Sequence, residues 1–404
     1  MTHDSDGRLK IAYITTYDPK DVRCWSGLGY FIWLALAQAG VDVQFVGPIS
    51  LPSNATRVLK VKQFFYGKIL RKLYLPEHDV FMARAYSREA WKILSKLKGV
   101  QAVVSPGSIP VAYLPGTVPL LTISDVTHKL LFEAYHIYEN LCAANHRDGD
   151  RIENASLKRA AASVFASDWA AASAIRDYGA KAEKVHVVPF GANLEVKPDR
   201  NEIISAIDAR GFGKIQLMFI GVDWVRKGGQ VALEVVRELI KRGFPTHLTV
   251  IGCDPCIPPE DAGNVTVRGF IKKTAEGQKE INGLLSKSHF LIVPSEAECY
   301  GLVYCEASAF GVPSIARNVG GVSTIIKNEI NGRLFELQDT ASEIVDWVAG
   351  YLQDRVNYRR LAHSSMAEYD SRLNWVIAGG KLKMILKDII NNAGTAPIRI
   401  KNDE

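Results

Sequence analysis

The sequence predicts an α/β protein built from two doubly wound domains in series, and three observations carry that expectation. Short β-rich runs alternate with amphipathic stretches through the first half: IAYITTY, FIWLALAQAG, VDVQFVGP, AVVSP, LLTISD and VFASD. Such alternation implies parallel strands joined by helical crossovers. The pattern starts afresh after VHVVPFGANL, with IQLMFIGVD, VALEVVRELIKRG, LTVIGCD, VTVRGF, a polar helix, FLIVPS and VPSIARN. A chain of 404 residues is also too long for one ordinary core.

Element by element, LALAQAG carries a helix stop at Gly40. Pro198, with charges and Asn around it, interrupts the pattern between Asn193 and Asn201, so the linker is expected there. The expected domains are 1–195, 196–375, and a helix with a frayed tail over 376–404 that returns to the first domain. Open α/β sheets bind ligands beyond the carboxyl ends of their strands. Two such domains facing each other across a cleft would place the chemistry there.

Bulk properties exclude several classes. A net charge of +6 spread over this length does not mark a nucleic-acid binder. MTHDSDGRLK followed by a short apolar run has neither the layout of a signal peptide nor a membrane span, so a cytoplasmic protein is expected. The six cysteines are expected as thiols, and Cys253-x-x-Cys256 lacks the second ligand pair of a zinc site. Asp148-Gly149-Asp150 imitates a manganese-binding Asp-x-Asp but reads as a polar loop before a helix; no metal and no cofactor are expected.

The most informative stretch is FLIVPSEAECYGLVYCEASAFGVPSIARNVGG. A buried strand leads into a helix starting near Gly301, so the amides of Tyr300, Gly301, Leu302 and Val303 emerge at a helix N-terminus suited to a diphosphate. Glu298 precedes that helix and Glu306 lies inside it; as pure acceptors, carboxylates suit sugar and ribose hydroxyls. Either Glu taken alone reads equally as a helix-dipole residue. Upstream, FIGVDWVRKGG places Arg226 and Lys227 after a strand and Gly221.

Together, Glu298-Cys-Tyr-Gly-Leu-Val-Tyr-Cys-Glu306 resembles the E-x(7)-E signature of retaining glycosyltransferases of the GT-B fold, in particular family 4. VFASDWAAASAIRDYG, VVPFGAN and NEINGRLF extend the resemblance over most of the chain from Ser163 to Phe335. It implies that Glu298 contacts the donor sugar, that the amides at 300–303 hold the diphosphate, and that Glu306 holds the ribose. It also implies that Lys227 neutralises the donor phosphates. The family's arginine position is occupied by Val222, and Arg226 is the candidate to stand in for it. VRGFIKK matches the segment beside the base, which makes Gly269, Phe270 and Ile271 candidate base contacts.

On the acceptor side, Trp25-Ser26-Gly27-Leu28-Gly29-Tyr30 reads as a long loop after the first strand, and Gly27 and Gly29 would let the backbone approach a ligand. The resemblance implies that this loop borders the donor diphosphate and the acceptor. As a dinucleotide fingerprint, GLGYFI lacks the third glycine and the acidic partner. Where relatives carry His or His-Asp, this chain has Asp125, with His128 three residues on; a surface His is more often idle. TRVLKVKQFFYGKILRKLYL, within 56–75, has six basic and no acidic residues and reads first as a helix with a solvated basic face. Contact with an anionic membrane or a lipid-linked acceptor, and hence a peripheral place on the inner membrane face, is the second reading.

The function expected from the resemblance is transfer of a hexosyl group from a nucleoside diphosphate sugar, UDP-glucose or GDP-mannose first, to a hydroxyl on a sugar, lipid-linked or small-molecule acceptor. An epimerase or phosphorylase on the same fold, or a nucleotide-sugar binder without turnover, are the alternatives.

Overall fold

The computed structural model describes residues 8–394. They form two compact units: the first runs to Val188 and is taken up again from Ala378, and the second is Pro189–Ile377. The division falls a few residues before the 195/196 boundary read from the sequence. The reason is that Phe190 is already buried in the second unit, stacked on Trp375 with ring centroids 5.5 Å apart.

In the first unit the order is β1 (Leu9–Ile14), α1 (Leu28–Gln38), β2 (Val41–Val46), α2 (Ser53–Phe64), α3 (Val80–Leu94), β3 (Ala102–Pro106) and β4 (Leu120–Ser124). It continues with α4 (His128–Ala134), α5 (Ala143–Arg159), β5 (Ala162–Phe165), α6 (Asp168–Tyr178) and β6 (Val185–Val187). The strands are parallel in the order β2-β1-β3-β4-β5-β6. β3 and β5 are buried at every residue, as expected of parallel strands covered on both faces. Ala12, Ile14, Val103 and Leu120 pack there with Ala90 and Leu94 of α3.

The second unit contains α7 (Arg200–Ala209), β7 (Ile215–Ile220), α8 (Gly229–Lys241), β8 (Thr246–Ile251), β9 (Val265–Val267), α9 (Ala275–Lys287) and β10 (Phe290–Val293). Then follow α10 (Leu302–Ala309), β11 (Ser314–Arg317), α11 (Val322–Ile325), β12 (Gly332–Phe335), α12 (Ala341–Gln353) and α13 (Arg355–Ser371). Its parallel sheet has the order β12-β11-β10-β7-β8-β9. Helix starts are fixed locally: Asp199, Thr274 and Thr340 accept hydrogen bonds from the first-turn amides of α7, α9 and α12. The last helix, α14 (Trp375–Asn392), packs on the first unit, where Gly379 lies against the Ala35 backbone and Lys383 Nζ donates to the Ala39 carbonyl at 2.5 Å.

Two expectations are corrected here. Leu28, Gly29 and Tyr30 belong to α1 rather than to a loop; Gly29 is buried in the helix, where a Cβ would meet the Tyr17 ring. The glycine serves helix packing, so the loop ends at Gly27. Asp148-Gly149-Asp150 lies inside α5, not in a loop. The inward stripe of α5 is Asn145, Gly149, Ile152, Glu153, Ser156 and Leu157, mostly small or polar, which hides its amphipathic period from a hydrophobicity reading.

Candidate active site

In the second unit, β7 is followed by Gly221 and a tight turn over 223–228 that leads into α8. The Arg226 and Lys227 amides donate to Asp223, and Gly228 adopts φ 75° at the helix N-cap. A Cβ on Gly228 would sit 2.1 Å from the Pro294 carbonyl oxygen. Gly228→Ala is therefore expected to cost about 2 kcal/mol in urea unfolding, from left-handed backbone plus overpacking. An unchanged midpoint would show that the turn reshapes freely.

That close approach brings the turn onto the loop after β10. The Glu296 amide donates to the Arg226 carbonyl at 2.8 Å, and Arg226 Nη1 donates to the Ala297 carbonyl at 3.0 Å. Lys227 Nζ forms an ion pair with Glu298 Oε2, and both side chains are close to nine-tenths buried. The structure thus joins three predicted residues, Arg226, Lys227 and Glu298, at one point.

Gly301, at φ 96°, caps α10; the Tyr304 amide donates to its carbonyl at 3.1 Å, whereas the Leu302 and Val303 amides before it precede the helical hydrogen-bond ladder. The helix is held firmly. Tyr304 donates to the Val293 carbonyl at 2.7 Å, and the Arg210 guanidinium donates to the Phe310 and Gly311 carbonyls beyond its far end at 2.7 and 2.6 Å. The Tyr300 side chain is buried and donates to the Phe190 carbonyl at 2.9 Å, so its part is structural and only its amide is left for a ligand. Leu302 and Val303 are partly exposed in the first turn. Glu306 is partly exposed; burial raises its carboxyl pKa, opposed by the charge of Lys273 and the Asn193 amide.

The loops after β7, β8 and β9 meet beside this point: the Gly221 amide donates to Ile251, and the Gly252 amide to Gly269. Phe270 is 69% exposed and, with Ile271, lines a shallow depression. Val222, in the family's arginine position, is 68% exposed. Arg226 is the arginine that reaches the Glu298 loop.

The first unit carries its own cavity, of about 260 Å³, beyond the ends of β3 and β4. Trp25, Asp125 and His128 line it, together with Tyr17, Ser108, Glu153 and Ser156. Trp25 and Ser26 hold positive φ angles of 46° and 54°, a backbone cost that clusters at functional loops. His128 is not the surface residue expected; it is 7% exposed, against His78 and Phe132, with Nδ1 3.1 Å from Asp150 Oδ1. Burial lowers its pKa despite Asp150, and drives that of His78 down to about 3. Both rings are therefore neutral at pH 7.

The His128 Nε2, Ser156 Oγ and Tyr17 hydroxyl are buried without a hydrogen-bond partner. Glu153, which motif reading missed, accepts from Ser108 Oγ at 3.1 Å and from the His128 amide, and burial raises its pKa to about 7. Its only sequence signal was its place on the α5 stripe.

Asp148 pairs with Arg147 and Arg151, and Asp150 accepts from Tyr178 at 2.7 Å. Among the described residues no group of three or more His, Cys, Asp or Glu is placed to hold a metal ion, and no helix is long and apolar enough to cross a membrane. All six cysteines are free thiols.

The two sheets and their helices define an α/β protein of the GT-B fold. Solved structures share it: sucrose-phosphate synthase from Thermosynechococcus elongatus is 17% identical with a TM-score of 0.66, covering 95% of this chain and 100% of that one. Anabaena HepE in complex with UDP-glucose is 13% identical with a TM-score of 0.60, covering 94% and 100%. Residues 214–354, within the second unit, match the family described as glycosyl transferases group 1. A D-inositol 3-phosphate glycosyltransferase of Rhodococcus erythropolis is 29% identical over 236 residues, 54% of this chain and 52% of that protein. The chain thus spans about half the length of the curated relatives it matches.

Proposed function

We propose that the chain transfers a hexosyl group from a nucleoside diphosphate sugar to a hydroxyl acceptor with retention at the anomeric carbon. The observation that carries this reading is the buried Lys227–Glu298 pair next to the α10 N-terminus, with Arg226 bound to the same loop. A cation, a second basic group and a helix start suit a diphosphate, and adjacent carboxylates suit sugar and ribose hydroxyls. The names of the relatives, and UDP-glucose in HepE, are in keeping with such a donor.

In this reading Glu298 binds the sugar, Glu306 the ribose, and Gly269, Phe270 and Ile271 border the base. Gly221 flanks the donor, and the amides of Tyr300, Gly301, Leu302 and Val303 take the diphosphate. Negative charge grows on the leaving diphosphate as the glycosidic bond breaks, so Lys227, Arg226 and the amides stabilise the transition state more than the ground state. The reading assigns no step to a metal. Trp25, Ser26, Asp125 and His128 receive the acceptor. Neutral imidazoles, hydroxyls and a carboxyl in the first-unit cavity suit an uncharged hydroxylated group.

A thermal-shift panel of UDP-, GDP- and ADP-sugars tests the donor, with UDP-glucose and GDP-mannose first. A true donor at a hundredfold excess over its Kd should add about 2.7 kcal/mol of stability. Product analysis then separates transfer, which needs an acceptor, from epimerisation, which does not. If no nucleotide sugar raises the melting point, the reading is rejected.

A further inference from the structure

Residues 53–75 contain Arg57, Lys60, Lys62, Lys68, Arg71 and Lys72 and no acidic residue. The segment folds as α2 followed by a π-helical turn, Phe65–Ile69, and its inner side is fixed to the first unit. Ala55 and Leu59 are buried, Lys62 Nζ lies 2.7 Å from Asp79 Oδ2, and Tyr66 stacks on Tyr74 with centroids 5.2 Å apart.

The outer side is different. Val61 is 69%, Phe64 63% and Ile69 60% exposed, with Val58, Phe65 and Leu70 exposed beside them. Arg57, Val61, Phe64 and Lys68 follow one another at intervals of four, three and four, a single stripe pointing away from Ala55 and Leu59. Single exposed apolar residues are ordinary, but six within one basic segment form a patch.

We propose that this face docks peripherally on an anionic lipid surface. The cations select a negative partner, and the apolar stripe between them needs a phase that accepts aliphatic and aromatic side chains; the headgroup region of an anionic bilayer supplies both. A single-stranded nucleic acid would meet the charges and stack on Phe64 and Phe65, but it offers nothing to Val58, Val61, Ile69 and Leu70. Because the inner side is already anchored, docking requires no refolding of the segment.

Co-sedimentation of the whole chain with phosphatidylcholine vesicles, with and without phosphatidylglycerol, tests this. Binding is expected only with phosphatidylglycerol. Lys60→Gln/Lys68→Gln should weaken it about 30-fold and Val61→Gln/Phe64→Gln at least tenfold, with unchanged melting curves because all four side chains are exposed. Failure to bind phosphatidylglycerol vesicles, or equal binding to both kinds, would overturn the proposal. So would binding that survives Val61→Gln/Phe64→Gln, which would mark a site for a soluble polyanion instead.

Discussion

Lys227→Met is expected to lower kcat for release of nucleoside diphosphate by about 10²–10³-fold, the usual consequence of removing one fixed charge from a developing oxyanion. The ammonium is held 71 positions along the chain from its partner Glu298, with little solvent around either. In the proposed transfer, a low-dielectric setting would make its attraction for a leaving diphosphate stronger than an exposed lysine could provide. Steady-state kinetics separate the roles: if Lys227 acts on the transition state, kcat and kcat/KM fall together, whereas a pure ground-state contact raises KM alone. Unchanged kcat would remove Lys227 from the mechanism.

The same substitution has a structural cost that must be read separately. Met at this position leaves the Glu298 carboxylate buried without its cation, and breaking a buried pair from one side costs more than removing both members. The double variant Lys227→Met/Glu298→Gln should therefore be more stable than Lys227→Met while remaining inactive. Recovery of stability without activity would show that unfolding does not account for the lost turnover, and comparison with Glu298→Gln alone separates the part of Lys227 from that of the sugar-binding carboxylate.

Much of the architecture was legible because its signals are local. β10 is a continuous apolar run, and β1, β3 and β7 are apolar runs interrupted by a single polar residue each, Lys10, Ser105 and Gln216, close to the signature of strands covered on both faces. The edge strands β6 and β12, three and four residues long, give no such run. Their places are set by pairing with β5 and β11, which sequence periodicity does not encode. α5 was hidden because Asn145, Gly149, Glu153 and Ser156 outnumber the aliphatic Ile152 and Leu157 on its inner stripe.

The site divides in the same way. Glu298, Glu306 and Lys227 could be picked out one by one by spacing and resemblance. That Lys227 and Glu298 pair with each other, and that Arg226 reaches the Ala297 carbonyl, are tertiary facts fixed by the tight turn at Gly228 lying under Pro294. His128 was legible as a residue near a strand end, whereas its burial against His78 and Phe132, with Gly149 of α5 close against the ring, is a tertiary fact.

Glu153 turns that hidden helix into a pH-dependent prediction. Its pKa stands at about 7 in the folded protein, raised first by burial and then by Asp150, against the Ser108 hydroxyl and the His128 amide. Its reference value is 4.5. Below that value both folded and unfolded chains hold the proton and nothing is lost. As pH rises towards 7 the unfolded chain ionises first, so folding stability falls across this window by about 3 kcal/mol. Glu153→Gln removes the titration while keeping an oxygen for the His128 amide. The variant should match or trail the parent near about pH 4.5 and exceed its stability by up to about 3 kcal/mol near about pH 8. Urea unfolding of both proteins at the two pH values measures the difference; one that does not grow with pH would place Glu153 in contact with water and outside the cavity wall. The carboxyl bridges Ser108 after β3 and the first amide of α4, so its ionisation acts on two lining segments of the cavity at once.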